Sequence, residues 1–192
     1  MMASFVSGAA ARLIPSVVAI VDCAERGSGG AGIAWGASGF IVTNAHVATH
    51  RDVTVMAADG RRARGSVVAR DARRDLAVVR AGGLELPGAP TGDPARLRPG
   101  ALVFAVGHPF GVHDAISAGV LQAVGRLPRG FPINGRGAYP WVQADVRLAP
   151  GNSGGPLADA AGLVIGVAAM IVGGLALAVP APDVDALVAT VT

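Results

Sequence analysis

The stretch Gly151-Asn152-Ser153-Gly154-Gly155-Pro156-Leu157 is the most informative part of this 192-residue chain, because it sets one serine among glycines ahead of a long apolar tail. A serine hydroxyl is a poor nucleophile at neutral pH, so a site that uses one needs a base for its proton and donors for the oxyanion. Glycines allow the sharp turn that would aim the backbone N–H groups of Gly151 and Ser153 at one point. A surface turn with an incidental serine has the same composition, so residues elsewhere must decide between the two.

A histidine and a carboxylate precede this serine in an informative order. Thr43-Asn44-Ala45-His46-Val47 follows the β-prone run Phe40-Ile41-Val42, so His46 is expected just past the end of a strand. Arg74-Asp75-Leu76-Ala77-Val78-Val79-Arg80 places Asp75 at the start of another strand. The chain order His, Asp, Ser is that of chymotrypsin and excludes the orders of subtilisin and of the α/β-hydrolases.

Taken together, these motifs carry a resemblance to a known family. From Ile14 to the C-terminus the chain resembles the protease domain of trypsin-like serine proteases of the HtrA/DegP type. The segments that match are Ile14-Pro15-Ser16-Val17-Val18, Gly39-Phe40-Ile41-Val42-Thr43-Asn44-Ala45-His46-Val47, Asp59-Gly60-Arg61, Asp75-Leu76-Ala77-Val78-Val79, Ala105-Val106-Gly107-His108-Pro109-Phe110-Gly111, Ser117-Ala118-Gly119-Val120 and Pro150-Gly151-Asn152-Ser153-Gly154-Gly155-Pro156-Leu157.

The resemblance implies a catalytic site. His46 would be the general base, Asp75 would orient it and Ser153 would be the nucleophile, with the oxyanion hole at Gly151, Asn152 and Ser153. Asp71 and Asp52 are rival carboxylates, but Asp75 is the one that lies in the Asp-Leu-Ala-Val frame of the family. His108 replaces the asparagine common in the family's Gly-Asn-Pro-Phe-Gly loop.

Short apolar runs between Gly and Asp turns predict two series of strands. The predicted strands are 16–21, 32–35, 40–43, 52–56, 64–69 and 76–80, then 102–106, 116–124, 141–144, 156–158, 163–172 and 175–179. Asp59-Gly60 predicts a hairpin turn. Pro182, followed by Val184, Leu187, Val188 and Val191, predicts a closing amphipathic helix.

We therefore expect an all-β, chymotrypsin-like fold of two antiparallel six-stranded barrels with a short C-terminal helix. Residues 1–192 would form one protease domain, with an N-terminal lobe over 13–80, a connector over 81–100 and a C-terminal lobe over 101–192. The active site would lie in the cleft between the lobes. The PDZ domain that often follows in the family lies outside this sequence, which stops at Thr192, so either the protein is naturally short or the sequence was trimmed.

Two apolar segments have competing interpretations. Residues 13–21 resemble the core of a signal peptide, but they lack a convincing cleavage site, and a strand entered through Pro15 fits better. Residues 163–181 are long enough for a membrane helix. Gly173-Gly174 divides them, which favours two buried strands around a turn, so no membrane span is expected.

Composition bears on nucleic-acid binding, disulfides and metal sites. The net charge is +3, all basic residues are arginine and aromatic residues make up 4%, so nucleic-acid binding is not expected. Cys23 stands alone and cannot form an intrachain disulfide. His108, His113 and Asp114 fit no strong zinc spacing, so neither a metal nor a cofactor is predicted. The sequence leaves the compartment undetermined: the lack of a convincing signal peptide makes the cytoplasm the default, and a trimmed sequence would allow a location outside it.

The primary specificity pocket is predicted to be apolar and small. Its expected lining is Leu148, Ala168, Ala169, Leu175 and Ala176. Arg147 lies near the expected base of the pocket, and no acid takes that place, which argues against cleavage after Lys or Arg. Residues 127–139 correspond to the loop whose ordering assembles the oxyanion hole in relatives.

The leading interpretation is a serine endopeptidase that cleaves unfolded or flexible polypeptide segments through an acyl-enzyme, in protein quality control. The alternative is a binding or chaperone module on the same fold, with a resting, inactive oxyanion loop, since fold alone does not prove activity. The family resemblance also implies a homotrimer, and a monomer stays open.

Overall fold

Two closed antiparallel barrels and two helices form the structure, a computed structural model that describes residues 2–22, 29–36, 39–112, 114–127 and 138–192. The prediction of two six-stranded barrels with a C-terminal helix is confirmed. Each predicted strand forms, and the observed bounds differ by at most three residues. Most differences arise because pairing continues past the apolar run, whereas the first and eleventh strands begin one residue later than predicted.

The first barrel closes in the order β1-β2-β3-β6-β5-β4. Alternate residues of β4 are buried, which is the pattern of a strand with one face toward a barrel interior. Gly60, with φ of 84°, turns the chain from β4 into β5, as Asp59-Gly60 predicted. The strands are β1 (Val17–Asp22), β2 (Gly29–Trp35), β3 (Phe40–Thr43), β4 (Asp52–Ala57), β5 (Arg62–Asp71) and β6 (Leu76–Ala81).

The second barrel closes in the order β10-β11-β12-β9-β8-β7. The apolar segment 163–181 forms the hairpin of β11 and β12, and Gly173 and Gly174 turn it with φ of 60° and 85°. Both are left-handed conformations that glycine adopts without strain. The strands are β7 (Leu102–Gly107), β8 (Ala115–Arg126), β9 (Pro140–Asp145), β10 (Pro156–Asp159), β11 (Val164–Val172) and β12 (Leu175–Pro180).

A helix at the N-terminus, α1 (Met2–Leu13), was not predicted from the sequence. Its Ala9, Ala10 and Leu13 are buried. The apolar run that begins at Leu13 is therefore divided: α1 ends there, a short 3-10 turn (Ile14–Ser16) holds Pro15, and β1 begins at Val17. Proline lacks the N–H that would continue the α-helix, which explains the break.

The second helix, α2 (Ala181–Val188), packs against strands of both barrels, namely β5, β6, β11 and β12. In the part of the chain that the structure describes, neither helix has the length and apolar character needed to cross a membrane.

The apolar core has three parts. One fills the first barrel around Ile20, Val53 and Val79, and one fills the second around Leu121 and Ile165. The third lies between the barrels and combines residues of both with both helices, including Leu13, Ile33, Phe104, Trp141 and Val184. This layer holds the lobes in a fixed relation, and the predicted site residues lie where they meet.

Candidate active site

His46 and Asp75 form a close pair. His46 Nδ1 lies 2.7 Å from Asp75 Oδ2, and the backbone N–H of His46 donates to Asp75 Oδ1 at 3.1 Å. The Asp75 side chain is 1% exposed, whereas the His46 side chain is 47% exposed. A buried carboxylate bound to Nδ1 fixes the imidazole orientation and leaves Nε2 for a partner in the cleft.

The backbone at Asp75 is strained. Its φ of 59° is left-handed, which is uncommon for a residue other than glycine and persists only where the surroundings hold it. Asn44 donates from Nδ2 to the Asp75 carbonyl oxygen at 2.9 Å. Asp71 Oδ1 accepts hydrogen bonds from the backbone N–H groups of Arg73 and Arg74, so the turn before Asp75 is closed by a side chain.

The two rival carboxylates have other partners. Asp71 closes that turn. Asp52 accepts from Arg64 Nη2 at 2.9 Å and from Ser66 Oγ at 3.2 Å. The hydrogen bond from Arg64 lowers the pKa of Asp52, and the backbone N–H of Arg61 likewise lowers the pKa of Asp59. Asp52 and Asp59 both belong to the β4–β5 hairpin, which also carries Arg61, Arg62 and Arg64.

The turn that carries His46 is held from β5. The N–H groups of Val47 and Ala48 both donate to the Asn44 carbonyl oxygen, which makes a tight turn after β3. The Arg70 guanidinium donates to the carbonyl oxygens of Ala45 and Ala48, one on each side of His46. A planar fork with several donors suits this double contact.

Ser153 is bound to the first barrel through its backbone. Its carbonyl oxygen accepts from the Ala31 N–H at 2.8 Å. Gly30 leaves room for this contact, because a Cβ there would lie 2.7 Å from the Ser153 carbonyl oxygen and 2.7 Å from Val47. Gly154, with φ of 84°, packs in the same way against the Ala31 carbonyl and the Thr43 hydroxyl. The nucleophile loop therefore docks directly on β2.

The Ser153 hydroxyl is loosely held. Within the described residues, its hydrogen bond runs to the Ala169 carbonyl oxygen at 3.4 Å rather than to His46. That distance is long for an O–H donor, so rotation toward the imidazole costs little. Catalytic hydrogen bonds are often long before substrate binds. A bulge in β11 between Ala168 and Met170 leaves the Ala169 carbonyl out of the regular ladder.

The residues before Ser153 form a type II turn. The Asn152 N–H donates to the Ala149 carbonyl oxygen at 2.9 Å, and Gly151 has φ of 106°. With proline at the first central position and a positive φ at the second, only type II geometry is consistent. The N–H groups of Gly151 and Ser153 have no acceptor in the part of the chain that the structure describes. These two donors are available for an oxyanion.

Asn152 differs from the prediction in one respect. Because its N–H closes the turn, it is not a free donor like those of its two neighbours. The residue is 5% exposed. Gly107 provides the space, since a Cβ at Gly107 would lie 2.5 Å from Asn152 Oδ1. The Asn152 backbone N–H is therefore used within the turn, unlike those of Gly151 and Ser153.

The loop after β7 fixes the orientation of this turn. The His108 N–H donates to the Gly151 carbonyl oxygen and the Phe110 N–H to the Pro150 carbonyl oxygen, each at 3.1 Å. In a trans peptide the C=O and N–H point in opposite directions. The bond to Pro150 therefore directs the Gly151 N–H away from the loop, which a type I turn would not do.

The predicted pocket residues lie at different distances from the nucleophile loop. Ala168 exchanges backbone hydrogen bonds with Gly154 and Gly155 and so adjoins the nucleophile loop, and Ala169 follows it. Leu148 packs on the same interior cluster as Ala176. Ala178 is the residue of β12 that pairs with Ala168. Leu175 lies three residues before Ala178, which places it about 10 Å away along the strand. Arg147 is exposed.

Three features singled out in the sequence lie outside the described residues: Cys23, His113 and residues 128–137 of the loop assigned to oxyanion assembly. Asp114 is described and has φ of 57°, and its N–H approaches His108 Nδ1 at 3.3 Å. Among the residues that the structure describes, no cluster of His, Cys, Asp or Glu suits a metal ion.

Several positioning residues were not identified from the sequence. Gly30, Ala31, Asn44 and Arg70 act through backbone groups of Ser153, Asp75 and the His46 turn. Such contacts leave no motif, because almost any residue offers the same backbone atoms. Alternating Gly30 and Gly32 in a strand are an available signal, since glycine inside a strand marks a close backbone approach.

The fold and the site together define a class of protein. The junction of the two barrels holds a His–Asp pair, a serine and a turn with free backbone N–H groups. The trypsin-like peptidase domain family matches residues 30–167, and the chain belongs to that family. Within it the similarity is to proteases of the HtrA and DegP type, as the sequence motifs indicated.

Relatives and solved structures of that type agree. The chain is 38% identical over 149 residues to a probable periplasmic DegP-like serine endoprotease of Halomonas elongata. That alignment covers 77% of this chain and 30% of the relative. It is 36% identical over 163 residues to the putative serine protease HhoB of Synechocystis sp., covering 83% of this chain and 39% of the relative. It thus spans less than half the length of these curated relatives.

Two structures of the HtrA-type protease AlgW match over 96% of this chain. The structure with a tripeptide has a TM-score of 0.87 at 31% identity, and 62% of its chain is covered. The structure with a decapeptide has a TM-score of 0.83 at 27% identity, and 67% of its chain is covered.

Proposed function

We propose that this chain is a serine endopeptidase in which Ser153, His46 and Asp75 act as the catalytic triad. The observation that carries the proposal is the buried Asp75 carboxylate 2.7 Å from His46 Nδ1, which orients Nε2 toward the cleft. Membership of the trypsin-like peptidase family and similarity to HtrA-type proteases support the same assignment.

In the proposed reaction, Ser153 Oγ attacks the carbonyl carbon of the scissile peptide while His46 Nε2 takes the hydroxyl proton. The negative charge on the carbonyl oxygen is bound by the free N–H groups of Gly151 and Ser153. The C–N bond then breaks, and the imidazolium gives its proton to the leaving amine. Water, deprotonated by His46, attacks the acyl carbon. The ester C–O bond then breaks, the imidazolium returns its proton to Ser153 Oγ, and the acid is released. Asp75 stays ionised throughout and stabilises the imidazolium.

The proposed substrates are unfolded or flexible polypeptides, and the proposed role is protein quality control. A cleft between two rigid barrels favours a segment that can extend into it. The AlgW structures hold a tripeptide and a decapeptide, which supports a peptide as the ligand class. We also propose, from the family resemblance, a homotrimer, with a monomer as the alternative that light scattering of the purified protein would identify.

The second candidate, a binding or chaperone module, requires a resting oxyanion turn. The type II geometry at Gly151 and the bond from Phe110 to Pro150 favour the active arrangement, because both leave the Gly151 N–H available. We therefore rank proteolysis above it.

The decisive experiment is labelling with a fluorophosphonate probe, which needs nucleophile, base and oxyanion donors together. We expect stoichiometric labelling at Ser153 and cleavage of denatured casein. The Ser153→Ala variant should show neither while melting at nearly the same temperature, because a small hydroxyl adds little to packing. Casein cleavage by purified Ser153→Ala would reject the nucleophile. A native protein that binds unfolded casein without labelling or cleavage would support the binding module.

A further inference from the structure

Arg74, the residue directly before Asp75, connects three separate parts of the fold. Its guanidinium forms an ion pair through Nη1 with Asp183 Oδ1 in α2. Its Cζ also lies 4.8 Å from the ring centroid of Tyr139, the residue before β9. The side chains of Arg74 and Asp183 are 27% and 17% exposed, so the pair is largely withdrawn from water.

This position matters because the next residue is strained. Asp75 keeps its left-handed φ of 59° only while the chain on both sides is held. On the C-terminal side, Asn44 binds the Asp75 carbonyl. On the N-terminal side, the Arg74 backbone N–H binds Asp71 Oδ1 at 3.1 Å, and the Arg74 side chain anchors the same residue to α2.

The Arg74–Asp183 ion pair differs from a solvent-exposed pair because both side chains are largely buried. Asp183 Oδ2 is buried and has no hydrogen-bond partner among the described residues, so this carboxylate depends on Arg74 for its compensation. Removing one member of such a pair leaves the other charged and unpaired. The guanidinium can also stack on Tyr139 while donating to Asp183, which lysine does less well.

Resting on the proposed function, we propose that Arg74 is a positioning residue for the catalytic acid. By binding Asp183 and Tyr139 it fixes the turn that presents Asp75 to His46, and so couples α2 and the start of β9 to the orientation of the imidazole. Arg74 does not touch the reacting atoms. Its effect passes through the 2.7 Å bond between Asp75 and His46.

The test compares Arg74→Met and Asp183→Asn with Arg74→Lys and with a matched control, Arg73→Met. Arg73 is the neighbouring residue and is exposed. Its substitution removes the same charge, but in the described part of the chain its side chain forms no ion pair. Each full-length variant is assayed for kcat and KM on one peptide substrate. The Nδ1–H proton of His46, expected at low field because it is bound to Asp75, is followed by proton NMR.

For Arg74→Met and Asp183→Asn we expect kcat to fall about tenfold with KM nearly unchanged, because misplaced catalytic groups lower turnover rather than binding. The low-field resonance should broaden or disappear. Arg74→Lys should recover part of kcat, and Arg73→Met should match the unmodified chain. Full kcat with an intact resonance in Arg74→Met would overturn the proposal, as would an effect confined to melting temperature or KM.

Failure of the proposed function would look different. In that case the unmodified chain would neither cleave the peptide substrate nor be labelled by the fluorophosphonate probe. The low-field Nδ1–H resonance of His46 would still test the role of Arg74. Its loss in Arg74→Met and Asp183→Asn, but not in Arg73→Met, would support positioning of the His46–Asp75 pair. Its retention in all variants would reject it.

Discussion

The Ala31 N–H donates a 2.8 Å hydrogen bond to the Ser153 carbonyl oxygen, and this bond joins the two barrels beside the proposed nucleophile. Ala31 lies on β2, which pairs with β3, and β3 leads directly into the His46 turn. One strand pair therefore sets the position of both Ser153 and His46. Substitutions at this junction and around it should alter catalysis in distinct ways.

Gly30→Ala should separate the two halves of the site. The new Cβ would lie 2.7 Å from the Ser153 carbonyl oxygen and from Val47, so the nucleophile loop or the His46 turn must move. We expect kcat/KM to fall by about 10–100-fold, since small misplacements of catalytic groups are costly. Overpacking should also lower the free energy of unfolding by about 1–3 kcal/mol.

Gly82→Ala is the control for this substitution, because a Cβ at Gly82 meets nothing within 4 Å and its φ is not left-handed. Kinetics and thermal melting of both variants are compared with the unmodified chain. Equal activity of Gly30→Ala and Gly82→Ala would contradict the proposed interlobe contact.

Gly151→Ala should disable the oxyanion turn. Its Cβ would collide with the His108 carbonyl, and alanine is disfavoured at φ of 106°. Loss of the type II geometry would remove the Gly151 donor, so we expect kcat to fall by about 10²–10³-fold. Gly173→Ala has a similar left-handed strain at φ of 60° with nothing within 4 Å, and it should keep full turnover. Comparable losses in both variants would mean that general strain, not the donor, is responsible.

Activity should depend on pH through His46. A protonated imidazole cannot accept the Ser153 proton, so kcat/KM should rise with pH and then level off once the base is neutral. A profile measured with one ester substrate tests this. His50→Gln should leave the profile unchanged, because His50 is exposed and its Nδ1 lies 3.0 Å from Thr49 Oγ1. A flat profile from about pH 5 to pH 9 is incompatible with a histidine base.

Cleavage should follow small aliphatic residues. An apolar pocket gains about 0.8 kcal/mol per buried methylene, whereas burying an unpaired charge costs several kcal/mol. Mass-spectrometric mapping of cuts in denatured casein should therefore show Val, Ala, Ile or Leu on the acyl side. Because Arg147 is exposed, Arg147→Met should leave this preference unchanged. A dominant preference for acidic or basic residues would reject the pocket lining.

Much of the fold could be predicted because local signals agreed with the tertiary outcome. Val-rich runs between glycine and aspartate turns correspond to β1–β12, and Gly173-Gly174 separated two strands that hydropathy alone would read as one span. Helix α1 was missed although its buried residues Ala9, Ala10 and Leu13, together with Val6, lie at the i, i+3, i+4, i+7 spacing of one helical face. They become core only where α1 packs on the layer between the barrels.

The residues proposed to perform the chemistry were predicted from the chain alone. The order of His46, Asp75 and Ser153 with their flanking motifs is a local property, as is the glycine beside the serine. How these residues meet depends on the folded molecule. The left-handed turn at Asp75, the bonds from Arg70 and Arg74, and the contact of Ala31 with Ser153 join segments far apart in the chain. Backbone atoms and long side chains make these contacts, and neither type leaves a periodic pattern in the sequence.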